Sequence, residues 1–138
     1  MIIITDSKDC VFCKIISGEI PSYKIFEDHT VIVFLDANPA SKGHALIVPK
    51  THFDNIYDLP EETFNHIASV IKKLSKAIKE KLNADGLNLI NSNGKEAQQD
   101  VPHFHIHMIP RYKGDKIDIW NFKKPKNIDI EEVFASLK

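Results

Sequence analysis

The segment His103-Phe104-His105-Ile106-His107-Met108-Ile109-Pro110 alternates imidazole with apolar side chain. Alternation at period two marks a half-buried β-strand, because successive side chains leave opposite faces. The pattern predicts a strand over His103–Ile109, with Phe104, Ile106 and Met108 turned to a core. The three imidazoles then form a row spanning ~13 Å on the other face, at the strand's rise per residue. Polar strand faces ordinarily mix Thr, Lys, Glu and Ser. Three histidines on one face point instead to chemistry, since imidazole is a nucleophile, acid, base or metal ligand near neutral pH.

The rest of the chain supplies partners for such a strand. Val11–Ile16 reads as a short helix closed by Gly18. Tyr23–Glu27 and Thr30–Asp36 read as strands joined by an Asp28-His29 turn, and His44–Pro49 as a third, buried strand. A long helix opens at Pro60, with Asp58 as its cap and Glu61-Glu62 in its first turn. Phe64, Ile67, Ile71, Leu74, Ile78 and Leu82 form one buried stripe, and Asp85-Gly86 ends the segment. Leu87–Asn91 is a further strand, Ser92–Pro102 a polar loop, and Ile130–Leu137 a final short helix. The expectation is an α+β domain with a mainly antiparallel five-stranded sheet, one long helix and short terminal helices. Nothing repeats and no linker divides the chain, so 138 residues are read as one domain over 1–138.

Charge and composition narrow the partners. A net charge of −1 gives no support for binding a nucleic-acid polymer or an anionic membrane. No stretch approaches the ~18 apolar residues of a membrane span, and the run Met1–Ile4 is too short for a signal peptide. Cys10 and Cys13 are the two cysteines, too few for a disulfide framework. Their spacing suits a metal or redox pair in a reducing cytoplasm.

Three readings of the histidines follow from the residues alone: an exposed polar strand face, three ligands of one catalytic metal, or a nucleophile with flanking helpers. Positions i and i+4 of a strand converge poorly on one ion, so the linear row suits nucleophilic catalysis best. The cysteine pair could be a redox dithiol, two reduced thiols, or half of a tetrahedral zinc site completed by histidines.

His103 to Ile109 resembles the His-φ-His-φ-His-φ-φ signature (φ apolar) of the histidine triad (HIT) superfamily of nucleotidyl hydrolases and transferases. Phe12-Cys13-Lys14-Ile15-Ile16-Ser17-Gly18-Glu19-Ile20-Pro21 is similar to the amino-terminal segment of its Hint branch. Phe34-Leu35-Asp36, Gly43-His44, Val48-Pro49-Lys50-Thr51-His52, Asn91 and Pro110-Arg111-Tyr112 extend the likeness over residues 10 to 112, leaving 113–138 as a tail.

The resemblance implies a HIT fold and a nucleotidyl hydrolase cleaving purine nucleoside 5′-phosphoramidates or related conjugates to the monophosphate. His105 would be the nucleophile, forming a nucleotidyl-histidine with its far ring nitrogen held by a backbone carbonyl. His107 would assist the leaving group, and His103 and His44 would support the cluster. Asn91 and Gln99 would donate to phosphate, with Asp100 beside it. Asp36 would bind the ribose hydroxyls, and Phe12, Ile15, Ile20, Phe34 and Leu35 would line the base slot. A structural zinc would be held by Cys10, Cys13, His52 and His103. The resemblance further implies a homodimer joined across sheets with the long helix at the interface, and Trp120 in a tail reaching the partner's site. Alternatives within its reach are dinucleoside polyphosphate hydrolysis or a zinc-stabilised nucleotide-binding module with little turnover. His29 and His66 match nothing and are read as surface residues. One departure stands out: where the family usually has Gly-Gln-Ser or Gly-Gln-Thr, this chain has Gln98-Gln99-Asp100, exchanging a glycine for a side chain and adding negative charge near a phosphate.

Overall fold

The computed structural model describes residues 9–138; the Met1–Ile4 run read above lies outside the described residues. The elements are α1 (Val11–Ser17), β1 (Lys24–Glu27), β2 (Val31–Leu35), β3 (Ala45–Pro49), α2 (Glu61–Leu82), β4 (Gly86–Ile90), β5 (Ile106–Arg111) and α3 (Ile130–Ser136), with a 3₁₀ turn at Lys95–Ala97. Five strands form one sheet in the order β1-β2-β3-β5-β4, and each neighbouring pair is antiparallel. The fold is α+β, as expected.

Period-two alternation divides the sheet between two cores. Val31, Val33, Ala45, Ile47, Ile106 and Met108 pack with Ile67, Val70, Ile71 and Ile78 of α2. Ile32, Phe34, Leu46 and Val48, one residue out of step, pack with Cys10 and Phe12 at the start of α1. His105 and His107 alternate with Ile106 and Met108, so they belong to the α1 side of the sheet. The same alternation overturns one expectation. Leu35 follows Val31 and Val33 onto the opposite face, where it is 37 % exposed and borders Leu74, Ile78 and Leu82 of α2. It therefore does not share a slot with Phe34.

Several local expectations shift. β5 begins at Ile106, so His103 and His105 lie in irregular backbone leading into the strand. Asp58 does not cap α2, whose N-cap is Pro60 with no side-chain hydrogen bond. The Asp58 carboxylate instead accepts from the backbone N–H groups of Asp54 and Asn55 at 3.2 and 3.1 Å, satisfying the turn before the helix. Asn83, in the left-handed region, ends α2, and Gly86 already belongs to β4. Phe64 sits at the rim of the stripe, 39 % exposed, with its ring edge-on to Phe104. His66 pairs with the Asp28 carboxylate at 2.7 Å, tying α2 to the β1–β2 turn. Pro110 occupies a central strand because β3 pairs with β5 only as far as Met108, so no ladder N–H is wanted from it on that side.

Two backbone positions carry predictions. Gln98 ends the 3₁₀ turn at φ 64° and ψ 36°, a left-handed conformation that costs a side-chain-bearing residue about 1–2 kcal/mol. Gln98→Gly removes that cost and returns about 0.5–1 kcal/mol to the unfolded chain's entropy. The expected net gain is up to about 1 kcal/mol, read as an increase in urea midpoint at unchanged m-value. Gly43 has φ 91°, and a Cβ there would lie 2.4 Å from Leu82 Cδ1 and 3.3 Å from Pro110 Cγ. Gly43→Ala imposes left-handed strain while the flexible end of Leu82 and Pro110 Cγ give way, and is expected to destabilise by about 1–3 kcal/mol in the same measurement.

Candidate active site and metal centre

The connection from β2 to β3 and the approach to β5 assemble a row of imidazoles against α1. Hydrogen bonds to groups with a single possible role fix the ring protons, because a backbone N–H only donates and a carbonyl only accepts. Ala40 N–H donates to His44 Nδ1 at 2.9 Å, so the proton of neutral His44 is on Nε2. That atom lies 2.9 Å from His107 Nδ1, which must accept, leaving the His107 proton on Nε2. His105 Nδ1 lies 2.7 Å from the carbonyl of His103 and donates to it. In the neutral ring the His105 lone pair is therefore on Nε2, the atom that faces the Asp100 carboxylate at 3.3 Å. In their neutral forms the adjacent rings carry opposite functions, an acceptor at His105 and a donor at His107, with centroids 5.0 Å apart.

Burial favours the neutral forms of His44 and His107. It pushes His44 below the ordinary imidazole value against the opposing pull of Asp36. It pushes His107 down as well, reinforced by the neighbouring His105 and His44 rings. Phe12, buried in α1, stands edge-on to both His105 and His103 at 5.0 and 5.8 Å, and to Phe34 at 5.6 Å. Ile15 packs at the edge of that cluster, and Ile20 is half-buried just beyond α1. Asp36, at the end of β2, lies 3.5 Å from His44 Nε2 and accepts from Asn38 N–H at 2.8 Å. Asp100 sits at the other end of the row, 3.3 Å from His105 Nε2.

The two amides expected to meet phosphate are engaged with the protein. Asn91 donates to the His105 carbonyl at 2.9 Å, bracing the segment that carries the nucleophile. Gln99 uses both Nε2 hydrogens on the carbonyls of Asp54 and Val101 at 2.6 and 3.0 Å. Its Oε1 accepts from Gly94 N–H at 2.8 Å. Gln99 is thus the clasp of the polar loop, and its amide has no hydrogen left for a ligand in this arrangement.

Beside this row, Cys10, Cys13, His52 and His103 place four donor atoms within 4.8 Å of one another. Cys10 is the N-cap of α1 and Cys13 lies in its first turn, so the helix start delivers both sulfurs to one side. His103 donates through Nε2 to the Pro49 carbonyl at 2.8 Å, and His52 Nε2 pairs with Asp54 at 2.9 Å. Both rings therefore present Nδ1 lone pairs to the sulfurs, at 3.3 Å for Cys10–His103, 3.3 Å for Cys13–His52 and 3.5 Å for Cys13–His103. Bonds of about 2.3 Å to sulfur and 2.0 Å to nitrogen separate neighbouring donors of a tetrahedral zinc by roughly 3.5 Å. The donor set, its spacing and the partners behind each imidazole fit such an ion. Asp54 and Pro49, which orient the two imidazoles, were not singled out from sequence. Asp54 lies two residues past His52, a spacing that could have drawn notice, whereas the Pro49 carbonyl carries no side-chain signal. Trp120 is exposed in the tail, its ring 5.6 Å from that of Phe122 with the planes tilted by 50°.

Known proteins resemble this chain in sequence and fold. The HIT domain family profile matches residues 17–114. An uncharacterized HIT-like protein of Methanocaldococcus jannaschii is 44 % identical over 129 residues, covering 94 % of this chain and 98 % of the relative. An adenosine 5′-monophosphoramidase of Saccharomyces cerevisiae is 44 % identical over 102 residues, covering 74 % of this chain and 62 % of that protein. The crystal structure of a zinc-bound histidine triad family protein from Mycobacterium smegmatis superposes with a TM-score of 0.77 at 40 % identity, covering 91 % of this chain and 88 % of that one. With its histidine row, its antiparallel sheet and a family match over most of its length, this chain belongs to the HIT domain family.

Proposed function

We propose that this protein hydrolyses purine nucleoside 5′-phosphoramidates, or related nucleotidyl conjugates, through a covalent nucleotidyl-histidine on His105. The observation that carries the reading is the tautomer assignment: His105 offers a buried lone pair on Nε2 while the adjacent His107 offers an N–H. His105 Nε2 attacks the α-phosphorus and the phosphorus–nitrogen bond breaks, the departing nitrogen hydrogen-bonded by His107 Nε2–H and taking its proton from solvent. Water then attacks the phosphorus, its proton passing to solvent, and His105 Nε2 leaves to release the nucleoside monophosphate. Splitting one displacement into two lowers each barrier. The His107 N–H, its ring held by His44 at 2.9 Å, stabilises the charge as it moves. Asp36 serves the ribose hydroxyls, and Phe12, Ile15, Ile20 and Phe34 the base. The activity named for the yeast relative supports this reaction class.

Cys10, Cys13, His52 and His103 would hold zinc. With four protein donors such an ion holds the start of α1 to the segment that carries His105, and activates no water. We take residues 1–138 as one unit that works in the reducing cytoplasm. Its assembly is a homodimer through the β4 edge and α2, where Phe64 and Leu89 are exposed. The test is incubation with adenosine 5′-phosphoramidate, with AMP release and intact mass followed together. Turnover with a transient adduct one nucleotidyl group heavier is the expected result. AMP binding without turnover would select the binding-module reading instead.

A further inference from the structure

The Asp100 side chain is 70 % exposed, yet its Oδ1 lies 3.3 Å from Nε2 of His105, itself 3 % exposed. Val101 N–H donates to the same oxygen at 3.0 Å and steadies the carboxylate beside that nitrogen. Asp100, His105 and His107 bring one ligand atom each within 4.8 Å of one another. At the far end of the row, Asp36 stands 3.5 Å from His44. The site is a line of imidazoles with a carboxylate at each end, and the end beside the nucleophile opens to solvent.

That position bears on what can leave. In an in-line displacement the leaving atom departs opposite the attacking nitrogen, about 5 Å from it at the near-attack distance. Since Oδ1 is 3.3 Å from that nitrogen, the leaving atom is within about 8 Å of the Asp100 charge whichever way the substrate lies. Resting on the nucleotidyl-transfer reading above, we propose that Asp100 selects the leaving group by charge, favouring nucleotidyl conjugates of amines over those that release phosphate or sulfate anions. An anion leaving beside this carboxylate gathers negative charge next to a like charge, whereas an amine leaves neutral or, once protonated, positive. The α-phosphate charge is common to all these substrates and cancels in their ratio. With the carboxylate largely in solvent, the discrimination expected from this one charge is about tenfold, well below its value in a dry site.

The experiment compares kcat/KM for adenosine 5′-phosphoramidate, adenosine 5′-phosphosulfate and diadenosine tetraphosphate in the wild type, Asp100→Asn and Asp100→Glu. In Asp100→Asn the preference for the phosphoramidate is expected to fall about tenfold, chiefly through faster turnover of the two anion-releasing substrates. Asp100→Glu, which keeps the charge, is expected to keep the preference. Added salt should weaken the wild-type preference and leave that of Asp100→Asn unchanged. An unchanged ratio in Asp100→Asn, with all three proteins active, overturns the inference and leaves the hydrolase reading standing. A folded wild type that turns over none of the three substrates removes both.

Discussion

His105→Asn is expected to lower AMP release from adenosine 5′-phosphoramidate by at least about 10⁴-fold, the order observed when the nucleophile of a covalent mechanism is removed. Asn keeps an amide N–H that can donate to the His103 carbonyl, as Nδ1 of His105 does at 2.7 Å, but has no nucleophilic lone pair in place of Nε2. The variant should therefore fold, bind AMP within a few-fold of wild type, and show no heavier species by intact mass during incubation with substrate. His107→Asn tests the other half of the tautomer assignment. It keeps the nucleophile and loses the ring that His44 Nε2 holds in place at 2.9 Å. Its deficit should be smaller for substrates whose leaving group needs no proton. Turnover by His105→Asn within tenfold of wild type would remove the covalent mechanism.

Metal removal is expected to have the largest effect on stability. Stripping zinc with a chelator, or substituting Cys13→Ser, should lower stability by about 3–5 kcal/mol, because binding to the folded site alone is folding free energy. The pH dependence gives the sharper signature. In the metal-free protein, burial holds His103 down at about 4, against an ordinary value of 6.5. A depressed folded value contributes stability that is present above 6.5 and is lost as pH falls toward 4. Burial, with the neighbouring Cys10 thiol, pushes Cys13 up to about 12 from an ordinary 9.0. A raised folded value contributes stability that is present below 9.0 and is lost as pH rises toward 12. The metal-free protein should therefore melt at lower temperature on both sides of a window between these ordinary values. With zinc bound, both sulfurs are already thiolates and the alkaline loss should disappear, while acid still displaces the ion by protonating its ligands. Thermal melts from pH 4 to pH 11, with and without zinc, read this directly. A chelated protein whose melting temperature matches the loaded one across that range would remove the metal from the account.

The fold was legible wherever side-chain periodicity is decided by burial. Ile32 against Val33, and Leu46 against Ile47, alternate between two apolar cores, and Ile67, Ile71 and Ile78 mark one face of α2. Where a hydrogen bond to backbone decides, residue type alone misleads. Asp58 has the chemistry of a helix cap but serves the preceding turn. Gln99 has the chemistry of a phosphate donor but spends its amide on three backbone groups. His66, which matches no motif, reaches Asp28 of the β1–β2 turn from α2, a pairing across 38 residues that no local spacing encodes. The Leu35 expectation came from a motif that runs along the strand, whereas a pocket is formed by one face of it.

Three imidazoles and a Cys-x-x-Cys pair at spacings able to cluster, on a segment with an apolar back, are readable from the residues alone. Those are properties of short segments, set by side-chain period and by the chemistry of each residue type. Which nitrogen of each neutral ring carries the proton depends on the folded backbone, because the partners are the backbone groups of Ala40, Pro49 and His103, and backbone groups have no identity in a sequence. Likewise, Asp100 faces the nucleophile only in the folded chain, since that contact depends on how the loop clasped by Gln99 closes over the start of β5.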